Sequence, residues 1–214
     1  MSDAFYGRWA GLYDRVSALP LLRSPRRRAV DALALSPGDT VVEMGCGTGA
    51  NVPTLCERVG TEGQVVGLDL TREMLRRART HDERTGPGVD YLRGDATRPP
   101  VHGVDAVLAT FVAGVFADPG AAVDAWCDCL APGGRIALLN FQQPDGPVGT
   151  ALSPAFEGFV RLSAPGSRLD SGSHAAAFER RVAAARRRLT ARTVERRYET
   201  LAGGYLGLVS GRVE

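Results

Sequence analysis

One segment constrains this chain more than any other: Val41-Val42-Glu43-Met44-Gly45-Cys46-Gly47-Thr48-Gly49-Ala50-Asn51. An apolar, β-branched run leads into glycines at alternate positions and then into a helical pattern. Glycine takes positive φ and carries no Cβ, so such a turn can bend sharply and bring bare backbone against a ligand. The same alternation continues downstream. Strands are expected at 40–44, 64–68, 89–93, 104–109 and 135–141, with helices at about 51–59, from a Thr71 cap through Met74, Leu75 and Ala78, and at 121–130. Strands alternating with helices of this length form a parallel sheet with crossover helices. Ser24-Pro25 reads as the cap and first position of a further helix reaching about Leu35.

The flanks read differently. Residues 3–18 space Phe5, Trp9, Leu12, Tyr13 and Val16 as one face of a helix. Beyond Phe141 comes a loop, an apolar stretch around Phe156, Phe159 and Val160, and a second loop. A basic helix over 175–191 follows, with Phe178, Val182, Ala185 and Leu189 on one side. Strands at 193–200 and 205–210 are joined by Leu201-Ala202-Gly203-Gly204, a connection short enough to make them antiparallel.

Composition narrows the class. With 44% apolar and 23% charged residues, the 214-residue chain has the make-up of a soluble globular protein. It is long enough to bury a core without disulfides or metal, which excludes disordered, collagenous and disulfide-scaffold classes. The longest apolar stretch, 106–117, is too short for a bilayer span of about 20 residues. The amino terminus shows neither a basic nor a hydrophobic leader segment, so the expected location is cytoplasmic. Cys46, Cys56, Cys127 and Cys129 form no C-x-x-C, and His81, His102 and His174 are scattered, so no metal is expected. All 26 basic residues are arginine, which excludes any lysine base or Schiff base.

The candidate chemistry lies at the strand ends. Gly45-x-Gly47-x-x-Ala50 satisfies the dinucleotide fingerprint, so the loop by itself admits a nicotinamide dinucleotide as well as other nucleoside cofactors. Glu43, two residues before the first glycine, would repel a pyrophosphate and can hold an ammonium group. Asp69 closes the second strand, where an acid can accept both hydroxyls of a ribose. Gly94-Asp95-Ala96 closes the third and places a carboxylate within reach of an exocyclic amine. The run from Val104 to Val112 is a buried strand feeding a loop that would floor the ligand. Leu130-Ala131-Pro132-Gly133-Gly134 reads as turn chemistry alone.

Taken in register, Glu43-x-Gly45-x-Gly47-x-Gly49, Asp69, Gly94-Asp95-Ala96, Asp105-Ala106 and Leu130-x-Pro132-Gly133-Gly134 resemble the class I S-adenosylmethionine-dependent methyltransferases over about residues 24–141. The resemblance implies an α/β, Rossmann-like, doubly wound seven-stranded sheet of order 3-2-1-4-5-7-6, its last strand antiparallel, with helices on both faces. It implies S-adenosyl-L-methionine as cofactor. Glu43, Gly45, Cys46, Gly47, Thr48, Gly49 and Asn51 would face its methionine portion and Asp69 its ribose. Leu70 and Met74 would lie against the adenine face, Gly94, Asp95 and Ala96 at the adenine amine, and Thr110 and Phe111 beside the sulfonium. The organisation implied is a helical lid over 1–23, a cofactor core over 24–141, a helical cap over 142–192 and a terminal hairpin over 193–214.

Both ends are similar to the ubiquinone/menaquinone C-methyltransferase family, through Phe5-Tyr6-x-x-Trp9-Ala10-x-x-Tyr13-Asp14 and Gly203-Gly204-Tyr205. The family's following Gly-Tyr-Lys is replaced here by Gly211-Arg212. The acceptor expected is a small molecule, a quinone precursor or a phospholipid-like substrate, with Tyr6, Trp9 and Tyr13 bordering it. No catalytic base is assigned; His174 and His102 are the candidates, although a lone histidine is more often a surface or capping residue. Arginines between 180 and 197 read first as a solvated face and otherwise as a contact for anionic membrane. They lack the interleaved aromatics of a nucleic-acid platform, so no nucleic acid is expected. The alternatives are an NAD-dependent oxidoreductase and a non-catalytic protein of the same fold.

Overall fold

A computed structural model of the chain describes residues 20–82, 88–143 and 171–214. Its elements are α1 (Pro20–Asp31), β1 (Thr40–Met44), α2 (Val52–Val59), β2 (Gln64–Asp69), α3 (Arg72–Asp82), β3 (Val89–Arg93), β4 (Val104–Thr110), α4 (Pro119–Asp128), β5 (Leu130–Phe141), α5 (Ser171–Arg192), β6 (Val194–Leu201) and β7 (Leu206–Arg212). The seven strands form one sheet in the order 3-2-1-4-5-7-6. Strands β1 to β5 pair in parallel, and β7 runs antiparallel to both β5 and β6.

Three expectations are corrected. Helix α1 does not begin at Ser24; Pro25 stands inside it. Proline already has helical φ, and the one bond it forfeits is to the carbonyl of Leu21, a residue 71% exposed, where water can serve. The helix also ends at Asp31 rather than Leu35, as the chain reverses through Ala34 at φ 50°. Segment 131–134 is not a free turn between helix and strand. It is a bulge within β5: pairing with β4 steps from Val104–Leu130 to Ala106–Arg135, and Gly133 takes φ 82°.

Each face of the sheet carries its own core. On one side Val42, Met44, Val107, Ile136, Leu138 and Val209 pack against Trp126 of α4 and Ala185 and Leu189 of α5. On the other, Val41, Val65, Ala106, Leu108, Leu139 and Leu208 meet Leu22, Ala29, Val30 and Leu33 of α1 and Val52, Leu55 and Val59 of α2. Strand side chains alternate between faces. Glu43 therefore shares the α1 face with Val41, and Thr110 shares it with Ala106 and Leu108. That parity brings the two polar residues under the same helix.

The helix expected at the amino terminus with Tyr6, Trp9 and Tyr13, the stretch around Phe156, and the His174 side chain lie outside the described residues. No helix among the described residues is long and apolar enough to cross a membrane.

Candidate functional site

Strand order reverses between β1 and β4, the place where open α/β sheets bind ligands in the crevice beyond the carboxyl ends of their strands. Here the chain leaves β1 through Gly45, whose N–H, with that of Cys46, donates to the Leu68 carbonyl at 2.8 and 3.0 Å. Gly45, Gly47 and Gly49 all have positive φ. A Cβ on Gly45 would come within 2.7 Å of Val112 Cγ2, so this glycine is required by conformation and by space.

Glu43 lies beneath this turn, 1% exposed. Its Oε1 accepts from Asn51 Nδ2 and, at 3.4 Å, from the Thr110 hydroxyl. Asn51 also donates to Thr110 Oγ1 at 3.0 Å. Glu43 Oε2 is buried without a hydrogen-bond partner. Burial raises the carboxyl to about 7, outweighing Asn51, Arg26 and Thr110, which pull it down. Burial, with Glu43 and Asp69 nearby, also pushes the Cys46 thiol up, so it is no nucleophile.

Asp69 ends β2 with both carboxylate oxygens tied to the loops beside it. Oδ2 accepts from Gly47 N–H at 2.9 Å and Oδ1 from Thr71 N–H at 2.8 Å. Each carboxylate oxygen can accept more than one bond, so this anchoring orients the acid and leaves it able to receive hydroxyls. Beyond it Leu70 is 57% exposed, while Met74 is buried. Gly94 N–H donates to the Asp69 carbonyl at 3.1 Å. Asp95 is exposed at the end of β3, with Oδ1 capping Thr97 through its N–H and hydroxyl at 2.8 Å each. Ala96 is buried, and its carbonyl accepts from Trp126 Nε1 at 2.7 Å.

The structure thus gathers Glu43, Gly45, Cys46, Gly47, Thr48, Gly49, Asn51, Asp69, Thr110 and Phe111 around one sheet end, with Gly94 and Asp95 at the neighbouring strand. It does not bring His102 there. That residue is exposed ahead of β4, whose carboxyl end is the one that reaches the crevice.

One central residue was not read from the sequence. Arg26 of α1 is 8% exposed, and its Nη1 donates to Thr110 Oγ1 at 3.2 Å and Asn51 Oδ1 at 3.3 Å. Its guanidinium carbon sits 4.9 Å from the centroid of Phe111, and its Nε is buried without a partner. A signal existed. Leu22, Arg26, Ala29, Val30 and Leu33 share one helical face, so this arginine alone among its neighbours points inward. Phe111 takes φ 60° and stacks on Phe141 at 4.5 Å. Asn140 Oδ1 and Glu179 Oε1 are further buried oxygens without partners, and burial raises the Glu179 carboxyl.

A sheet of this order, with a glycine turn after β1 and carboxylates at the ends of β1, β2 and β3, defines a nucleoside-cofactor domain of the class I methyltransferase type. Comparison with known proteins agrees. The family described as "Methyltransferase domain" matches residues 41–134. Nocamycin O-methyltransferase of Saccharothrix syringae is 34% identical over 158 residues, which cover 72% of this chain but 56% of that protein. Phosphatidylethanolamine N-methyltransferase of Cereibacter sphaeroides is 34% identical over 148 residues, covering 67% and 70%. A SAM-dependent methyltransferase from Aquifex aeolicus shares the fold with a TM-score of 0.58 at 18% identity, covering 88% and 89% of the two chains. The chain belongs to the S-adenosylmethionine-dependent methyltransferase family.

Proposed function

We propose that this chain transfers a methyl group from S-adenosylmethionine to a small-molecule acceptor. The observation that carries the reading is Glu43 Oε2, a buried carboxylate oxygen without a partner. A buried anion left half-satisfied is costly, and a cation completes it. The cofactor's ammonium is that cation, and Asp69, beside the glycine turn, suits its ribose. A pyrophosphate in the same place would face the Glu43 carboxylate, which disfavours the nicotinamide alternative.

S-adenosylmethionine supplies an electrophilic methyl on a sulfonium whose leaving thioether needs no acid. The protein's own task is then positioning, which can lower a barrier by about 7–11 kcal/mol in favourable model systems. Gly45 and Gly47 admit the ligand against the backbone, and Asp69 orients it. Thr110 and Phe111, at the carboxyl end of β4, border the reacting centre. Acceptor selection falls to the segment between β5 and α5, as connections over a fixed core commonly take that role, whereas α5 packs Ala185 and Leu189 into the sheet core.

A phospholipid-like acceptor is supported by the likeness to the phosphatidylethanolamine enzyme. A quinone precursor is supported by the Gly203-Gly204-Tyr205 tail. The decisive experiment is calorimetric titration with S-adenosylhomocysteine and with NAD, followed by turnover of methyl-labelled donor across phospholipid, quinone-precursor and hydroxylated aromatic acceptors. Binding of the homocysteine compound alone, with label on an acceptor, is expected. Binding of NAD alone defeats the reading, and donor binding without transfer to any acceptor leaves a non-catalytic protein instead.

A further inference from the structure

The carboxyl end of β5 gathers polar oxygens that the fold itself does not use. Asn140 is 2% exposed, on the strand face it shares with Leu138 and that α5 covers, and its Oδ1 has no hydrogen-bond partner among the described residues. Glu179, on the first half of α5, is half-buried, and its Oε1 is likewise without a partner there. The same carboxyl takes the main-chain N–H of Gln143, three residues past Asn140, which ties it to the strand end. A third such atom is the hydroxyl of Tyr205, in the connection between β6 and β7. Gln142 N–H donates to the Tyr205 carbonyl at 2.9 Å, so this connection stands at the same end of the sheet.

The surroundings are braced. Arg181 Nη1 donates to the Gly114 carbonyl at 3.4 Å, and the Phe178 ring lies against Gly114, which seats α5 on the connection that follows β4. Gln142 accepts from the Tyr198 hydroxyl at 2.7 Å and donates to the Gly204 carbonyl at 3.1 Å. A carboxylate oxygen kept bare in such a frame is unfavourable until something donates to it. The place adjoins the reacting centre. Thr110 pairs with Leu139, and Phe111 N–H donates to the Leu139 carbonyl at 2.7 Å. Asn140 is therefore the next residue along from the partner of Thr110, about one strand spacing (~4.8 Å) away.

We infer that Glu179 takes the proton of the methyl acceptor, and that the acceptor atom is a hydroxyl oxygen. This rests on the methyl-transfer reading above and adds to it the acceptor's chemistry and a catalytic residue. An oxygen lone pair forms the bond to the methyl carbon, and the carbon–sulfur bond breaks with its electron pair passing to sulfur. The hydroxyl proton passes to Glu179 Oε1, so a sulfonium and a carboxylate become a neutral thioether and a carboxylic acid. A phenolic hydroxyl, with a pKa of about 10, keeps its proton at neutral pH and needs such a base. An amine suits the place less well, because a neighbouring carboxylate holds it as ammonium, with no lone pair to attack. Burial raises the Glu179 carboxyl against the pull of the Gln143 N–H, which makes it a better proton acceptor.

The test follows label from methyl-labelled S-adenosylmethionine onto phenols and naphthols, onto a nitrophenol already ionised at the assay pH, and onto phosphatidylethanolamine vesicles. S-adenosylhomocysteine affinity and melting curves are measured alongside. The wild type should label the hydroxyl probes. Glu179→Gln should lower kcat/KM for the protonated hydroxyls by roughly 10²–10⁴-fold. It should change that for the ionised nitrophenol by less than about threefold and leave S-adenosylhomocysteine affinity unaltered. Equal losses for protonated and ionised acceptors, as a packing role would give, overturn the proposal. So does a wild type that binds S-adenosylhomocysteine yet labels only phosphatidylethanolamine, or no hydroxyl probe at all. Should Glu179→Gln fail to fold, Glu179→Asp, which keeps the carboxylate and shortens its reach, is put through the same comparison. A wild type that does not bind S-adenosylhomocysteine overturns the cofactor reading instead, a separate result.

Discussion

A carboxyl that burial lifts to about 7 makes the molecule's behaviour depend on pH in two opposing ways. The Glu43 value is raised above that of the unfolded chain, so the folded state holds the proton more tightly. Stability from this group is complete below about 4.5 and is lost as pH climbs through 7. The loss is roughly 3 kcal/mol. Ligand-free protein should therefore melt at a lower temperature at pH 8 than at pH 5.5 by more than Glu43→Gln does. Binding of a cation needs the ionised form, so S-adenosylhomocysteine affinity should rise over the same interval and flatten in Glu43→Gln. Slopes of the same sign would show that Glu43 is not the ammonium partner. The acid itself was legible in the sequence because a carboxylate before a glycine turn is an exception to the apolar run around it. Its elevated titration was not, since that follows from burial beneath α1.

Elements meet where small residues let them. Gly114, in the 3-10 turn Ala113–Val115 after β4, lies under the ring of Phe178 on α5, and a Cβ there would overlap that ring. Gly114→Ala should destabilise the protein by about 1–3 kcal/mol, the usual cost of overpacking. Melting is the readout; a variant as stable as the wild type would mean α5 is not seated there. The apolar face of α5 was visible in its spacing, and the burial of Ala185 and Leu189 agrees with it. The roles of its arginines were not visible. Arg188 and Arg192 converge on Asp124, Arg192 also reaches Asp128, and Arg186 lies over Tyr198. Although burial works against it, these hydrogen bonds hold the Asp124 carboxyl below its ordinary value. Arg180, Arg187 and Arg197 remain exposed. A run of like charges in a sequence does not say which members find acids on another helix.

Across the whole molecule, the site is assembled from α1, β1, the start of α2, β2 and β4, so filling it should stabilise the fold as a unit. A ligand at a hundred times its dissociation constant contributes about 2.7 kcal/mol. For a chain of this size that is on the order of 5–10 °C in melting temperature. S-adenosylhomocysteine should produce this shift and NAD should not; the reverse would favour the dinucleotide reading. What the sequence alone determined was periodic and local. Strand alternation and the short link before the last strand specify a parallel sheet with crossover helices and an antiparallel finish, because each depends on neighbours along the chain. The strand order was implied by the family resemblance of the three glycines and the acids at strand ends. What only the tertiary structure decided was distant pairing. Arg26 and Glu43 lie 17 positions apart on separate elements, and Thr110 lies 67 beyond Glu43. Their meeting depends on α1 lying across the face to which the strand parity of Glu43 and Thr110 assigns them. The packing of a helix on a sheet leaves no periodic trace in the residues it brings together.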